Sequence, residues 1–183
     1  MSRIPFLLFF SALVAPASAH TGHQEGAGFL AGLTHPFLGA DHVLAMIAAG
    51  LWAGIAGGRA AALWPAAFLA AMATGFAAAR AGMPLSMIET AIAFSVVALG
   101  AAAAFGVRLS VMSGAAVCGL FATFHGVAHG IEMPPTAAGT AYSAGFLLAT
   151  AFLLGSGLAV ARLGRIARFA AAVTATGFMV LTG

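Results

Sequence analysis

From Pro36 onward the chain is a succession of apolar stretches of about 17 to 25 residues, punctuated by Gly, Pro or Arg, and this pattern leaves few folds open. A hydrocarbon layer about 30 Å thick is crossed by roughly 20 apolar residues in a helix. The stretches lie near 36–56, 61–79, 85–106, 109–131, 137–161 and 166–182, and the last is short and carries Thr174 and Thr176. The expected fold is therefore an all-α membrane protein: a compact bundle of about six transmembrane helices, forming a single domain over 36–183. Connections of a few residues leave no room for a soluble domain.

Composition narrows the function classes. The chain is 62% hydrophobic and 6% charged, whereas charged residues make up about a quarter of a soluble domain. Lysine is absent, and the seven basic residues are arginines scattered among loops. A nucleic-acid surface needs a dense basic patch, and none is present. The single cysteine, Cys118, lies inside an apolar stretch, so no disulfide can form within one chain.

Residues 1–19 carry Arg3, an apolar run from Ile4 to about Val14 and the small-residue triplet Ala17-Ser18-Ala19. This is the pattern of a cleavable signal peptide; an uncleaved first helix is the alternative. Cleavage after Ala19 leaves a short exported segment, 20–35, that begins at His20 and includes His23. An N-terminal histidine offers a metal both its amine and its ring. With this segment outside, Arg59, Arg108, Arg162, Arg165 and Arg168 fall in or beside cytoplasmic connections, and Arg80 alone falls outside. The positive-inside rule favours that orientation, and an uncleaved signal helix would leave it unchanged.

Ionisable groups stand out against this background. In Phe124-His125-Gly126-Val127-Ala128-His129-Gly130-Ile131-Glu132, offsets of four and seven place His125, His129 and Glu132 within roughly 60° of one another on a helix. Polar groups inside a membrane mark function by default, and imidazole with carboxylate is a donor set for divalent transition metals. A second motif, His35-Pro36-Phe37-Leu38-Gly39-Ala40-Asp41-His42, opens the first stretch. Pro36 suits a first helical position, with Thr34 or His35 as the cap. If the helix instead runs back to Phe29 with a kink, His35 and His42 share a face. Asp41 points aside in either case, as a direct ligand or as the acceptor of an imidazole N–H.

The orientation collects both motifs at the outer face, together with Glu89 near the start of the third stretch. Imidazole and carboxylate without thiolate suit Ni²⁺, Co²⁺, Zn²⁺ or Mn²⁺ better than Cu⁺. Met46 and Cys118 could extend the stripe inward, although packing explains both more simply. Gly50 with Gly54, and Gly126 with Gly130, have the spacing that lets helices approach closely in lipid. Below the outer layer the polar candidates thin to Cys118, Ser95, Ser113, Thr123, Thr150 and Ser156.

At His35-Pro36, Gly39, Asp41-His42 and Met46, and at Phe124-His125-Gly126, Ala128-His129-Gly130 and Glu132, the chain resembles the HupE/UreJ family of nickel permeases, associated with hydrogenase and urease maturation. The resemblance covers essentially the whole chain. It implies a six-span importer of Ni²⁺, or of Co²⁺ in some members, whose histidine and acidic residues bind the ion. The expected protein is a multi-pass transporter of a bacterial inner membrane with a periplasmic mature N-terminus. It is not an enzyme, and the metal is cargo rather than a resident cofactor. The partners expected are the divalent ion and the lipid bilayer, with no nucleic acid.

The competing class is a membrane metalloenzyme or haem protein using the same histidines. The His-Glu-x-x-His order of metal hydrolases is absent, because residues 125–129 read His-Gly-Val-Ala-His. A haem reading would take His42 and His125 as axial ligands.

Overall fold

A computed structural model describes residues 27–83 and 85–164. Among these residues there are six α-helices, one 3₁₀ turn and no strand. The helices are α1 (Ala27–Thr34), α2 (Ala40–Ala56), α3 (Ala60–Arg80), α4 (Ile88–Ala104), α5 (Val111–Glu132) and α6 (Gly139–Ala161). The 3₁₀ turn, His35–Phe37, joins α1 to α2. Three helices, α3, α5 and α6, are long and apolar enough to cross a membrane, and the bent pair α1/α2 passes the same test as one span. The protein is thus an all-helical membrane protein. The expected signal peptide, 1–19, His20, His23, Glu25, Arg165, Arg168 and the stretch 166–182 lie outside the described residues.

Helix ends fall close to the punctuation. Gly57 and Gly106, at φ 69° and 61°, turn the chain after α2 and α4 in a region that L side chains avoid. Two boundaries differ from the sequence reading. The third stretch is shorter than 85–106: α4 has 17 residues, roughly 26 Å at 1.5 Å per residue. Its start is delayed by Met87, which is left-handed at φ 59°.

The larger difference is at the first stretch, which does not start at Pro36. Helix begins at Ala27, and the chain then bends by 78° before α2 starts at Ala40. Pro36 sits inside the 3₁₀ turn, and Gly39, extended at φ −106° and ψ 118°, precedes α2. Neither Thr34 nor His35 caps α2. The Thr34 hydroxyl donates back to the carbonyls of Leu30 and Ala31, at 2.9 and 3.3 Å. Gly39 lets the Asp41 and His42 side chains fold back over the break, since a Cβ there would lie 2.7 Å from Asp41 Oδ1 and 3.1 Å from His42 Nδ1 and push them aside. The bend, rather than a shared helical face, brings His35 towards His42.

Alternating chain direction makes α2, α4 and α6 parallel to one another, and α3 parallel to α5. Glycine lets the parallel pairs touch backbone to backbone. Gly50 of α2 lies against Leu154 of α6, and Gly157 of α6 against Ile47 and Leu51 of α2. Gly126 and Gly130 of α5 lie against Met72 and Phe76 of α3, with Gly75 of α3 facing Thr123 of α5. Both Gly-x-x-x-Gly pairs therefore approach a neighbour as their spacing predicts.

Gly126→Ala is expected to lower the thermal midpoint of the detergent-solubilised protein, because the new methyl meets the Met72 backbone; overpacking of this kind costs about 1–3 kcal/mol. Gly119→Ala is the control. Its Cβ would lie 3.6 Å from Ala71 Cβ, an ordinary contact, and the midpoint should be preserved or raised.

One end of the bundle collects the starts of α2, α4 and α6 and the ends of α3 and α5, and it carries every described histidine. At the other end, Arg59 and Arg108 sit in the connections and Arg162 follows α6. There Trp52 and Trp64 pack with ring centroids 4.5 Å apart. Their indole N–H groups donate to the carbonyls of Val107 and Val111, at 2.9 and 2.8 Å, pinning the α4–α5 connection beneath them.

Candidate metal centre

A pocket of about 300 Å³ opens at the histidine end, lined by His35, Leu38, Gly39, Asp41, His42, Glu89 and Glu132. Each side chain arrives there for a local reason. The 78° bend swings His35 inward, the first turn of α2 supplies Asp41 and His42, and the last two turns of α5 supply Glu132 to the pocket and His125 and His129 to the buried layer behind it. Glu89, the second residue of α4, is exposed at the rim.

Four imidazoles run inward from this pocket as a continuous chain. The His35 and His129 ring centroids are 4.9 Å apart, those of His129 and His42 4.8 Å, and those of His42 and His125 4.8 Å. Burial is uneven along it: the His35 side chain is 23% exposed and His42, which also lines the pocket, is 8% exposed, while His129 and His125 are fully buried. Apolar rings hold the walls. His129 stacks on Phe146 at 5.0 Å and an interplanar angle of 18°, and Phe68 lies 6.0 Å from His125.

The hydrogen bonds are few and specific. Asp41 Oδ1 accepts both the backbone N–H of His42, at 2.8 Å, and its ring Nδ1–H, at 2.9 Å. Asp41 thereby satisfies an otherwise unpaired amide of the first helical turn and orients the imidazole, the second of the two roles left open by its sequence position. Glu132 Oε2 accepts from His35 Nε2 at 2.7 Å. His125 Nε2 lies 2.9 Å from Ser95 Oγ, which is itself 2.6 Å from the Ile92 carbonyl.

The unpaired atoms are more informative. His42 Nε2, His125 Nδ1 and both ring nitrogens of His129 are buried without a hydrogen-bond partner among the described residues. An unsatisfied buried polar group costs about 1–3 kcal/mol. Several of them in one place, all imidazole nitrogens, form a donor set for a divalent metal ion. His35, His129 and Glu132 also converge, each offering a ligand atom within 4.8 Å of the others.

The remaining candidates are placed differently. Met46 and Cys118 are fully buried in the apolar core. Ser113 bonds Ser110 at the start of α5, and the hydroxyls of Thr123, Thr150 and Ser156 donate to carbonyls of their own helices. Of the inner polar residues, Ser95 reaches the imidazoles. Beneath His125 the bundle is filled by side chains such as Phe68, Met46 and Leu99, down to the Trp52–Trp64 pair.

Tyr142 joins the site without having been singled out by the motifs. It is fully buried, its ring lies 5.8 Å from His35, and its hydroxyl has no partner. Its signal in the sequence is that it is the chain's one tyrosine, set near the start of an apolar stretch.

Comparisons with known proteins place the chain in a family. Residues 8–183 match the family model described as HupE / UreJ protein. The chain is 46% identical over 185 residues to Protein HupE of Rhizobium leguminosarum bv. viciae, covering 100% of this chain and 95% of that protein. No solved structure matches. A family match over residues 8–183 and 46% identity over nearly the whole length of both chains show that this protein belongs to the HupE/UreJ family.

Proposed function

We propose that this protein imports a divalent transition metal, Ni²⁺ with Co²⁺ as an alternative cargo, across the bacterial inner membrane, and that the histidine pocket is its uptake site. The observation that carries this reading is the chain of four imidazoles whose buried ring nitrogens lack partners. Neutral imidazole and carboxylate are donors for these ions. Family membership supports the choice of Ni²⁺ or Co²⁺, since the resemblance implies that cargo. The pocket faces the periplasm in this reading, because Arg59, Arg108 and Arg162 cluster at the opposite end, as the positive-inside rule requires of a cytoplasmic face.

The route is then outside to inside along the imidazoles. Glu89 and Glu132 attract the hydrated cation to the rim, and His35 with His129 begins to replace its water. Release on the other side requires the helices around Trp52 and Trp64 to move, because the core below His125 is closed.

Cells that express the protein are expected to accumulate more Ni²⁺ than cells that do not, at submillimolar external metal. No gain over the empty cells would defeat the reading. Metal binding also requires deprotonated ligands. Protons compete with the metal for these ligands, so lowering external pH from about 7.5 to about 5.5 should reduce the initial uptake rate. A rate that rose over the same interval would count against histidine ligation.

A further inference from the structure

The four imidazoles are not equivalent, and their hydrogen bonds divide them. Ser95 has one hydroxyl proton. Its oxygen lies 2.6 Å from the Ile92 carbonyl oxygen, and two oxygens that close need that proton between them. The 2.9 Å contact with His125 is therefore a bond donated by Nε2–H to the serine oxygen. His125 Nδ1 is left as the bare nitrogen, buried and without a partner. Asp41 acts in the same way on His42: the carboxylate accepts Nδ1–H, and Nε2 is left bare, buried and unpartnered. The His42 ring lies 4.8 Å from both His125 and His129.

We infer that the pathway holds two successive metal positions that share His129. The outer position is formed by His35 and Glu132, which line the pocket, and His129 behind them, the three whose ligand atoms lie within 4.8 Å of one another. The inner position forms when the unheld His129 ring turns towards His42 Nε2 and His125 Nδ1, the His42 ring lying 4.8 Å from each of the other two, and it contains no carboxylate. An ion moves inward by exchanging His35 and Glu132 for His42 and His125 while His129 stays bound. His129 is suited to that part, because neither ring nitrogen is held by a hydrogen bond and a half-turn of its ring preserves the stack on Phe146. Ser95 is a positioning residue: it touches no metal, and it sets which nitrogen of His125 faces the inner position.

The division has a chemical consequence. A mixed site with a carboxylate accepts oxygen-seeking cations as well as borderline ones, whereas three neutral imidazoles favour Ni²⁺, Co²⁺, Zn²⁺ and Cu²⁺ and offer little to Mg²⁺ or Ca²⁺. Discrimination against the abundant alkaline-earth ions falls to the inner position. This inference rests on the transport reading above.

The test is X-ray absorption of the purified full-length protein loaded with one equivalent of Ni²⁺, together with equilibrium titration. Wild type is expected to show a shell dominated by imidazole nitrogen. Glu132→Gln should leave that shell intact while slowing uptake. Ser95→Ala, which deletes one oxygen, should weaken Ni²⁺ binding by about tenfold, as loss of a ligand's hydrogen-bond partner does, and move the shell towards carboxylate; Ser95→Thr, which keeps a hydroxyl, should restore both. A carboxylate in the wild-type shell that disappears in Glu132→Gln would overturn the inner position. Unchanged affinity and shell in Ser95→Ala would overturn the role of Ser95. Failure of wild type to bind Ni²⁺ would instead remove the transport reading itself.

Discussion

Replacement of His129 by alanine is expected to abolish Ni²⁺ accumulation in expressing cells and to raise the dissociation constant of the purified protein more than any other single change. His129 is fully buried, lies beside both His35 and His42, and has no hydrogen bond to lose. Its removal therefore deletes a ligand without stranding a protein donor or acceptor, and the fold should survive. Removal of a partner that merely supports a ligand weakens metal binding by about 10–100-fold; loss of the ligand itself should exceed that. The thermal midpoint is the control, since a normal midpoint with absent binding assigns the loss to the site. Unchanged accumulation in His129→Ala would remove this residue from the pathway.

The second large effect is expected at Asp41. Asp41→Ala leaves the ring Nδ1–H of His42 without its acceptor, so the imidazole loses both its orientation and the preference for a bare Nε2. Metal affinity should fall by about 10–100-fold. Asp41→Asn keeps a carbonyl oxygen that can accept the same bond, and it should retain most of the affinity. The contrast between the two variants separates a residue that orients a ligand from one that binds metal through its charge. If asparagine is as damaging as alanine, Asp41 coordinates the ion directly. Titration of Ni²⁺ into each purified variant, with circular dichroism to check helix content, makes the comparison.

Most of the helix boundaries were legible in the sequence because the bilayer imposes a length and the turns need glycine or a charge. α2, α3, α5 and α6 end within a few residues of the expected limits for that reason. The ligands were legible for a related reason: histidines and acids are rare in apolar helices, so His125, His129 and Glu132 at offsets of four and seven point to a ligand set rather than to packing. The break at residues 35–39 was legible only as one of two readings, a helix running back to Phe29 with a kink. Ala27–Thr34 is apolar and helical, so nothing in composition separates it from α2, and the size of the bend, 78°, belongs to the folded chain, with Pro36 in the 3₁₀ turn and Gly39 extended before α2.

Ser95 shows a second limit. A serine in an apolar helix commonly donates to a carbonyl of its own helix, as Ser156 and Thr150 do here. Ser95 does the same with Ile92, and its separate bond to His125 depends on how α4 sits against α5. No spacing within one helix encodes that. The Trp52–Trp64 pair likewise joins two helices across a turn and binds a third connection, so its closure of the arginine end is a property of the assembled bundle.

Uptake of Ni²⁺ into proteoliposomes containing only this protein, followed with an indicator dye trapped inside, tests the central claim most directly. The account predicts saturable influx that is inhibited by external Co²⁺ and lost in His129→Ala. Tight binding of Ni²⁺ to the outside of the liposomes, with no ion reaching the dye, would contradict it and would leave a metal-binding membrane protein that does not transport.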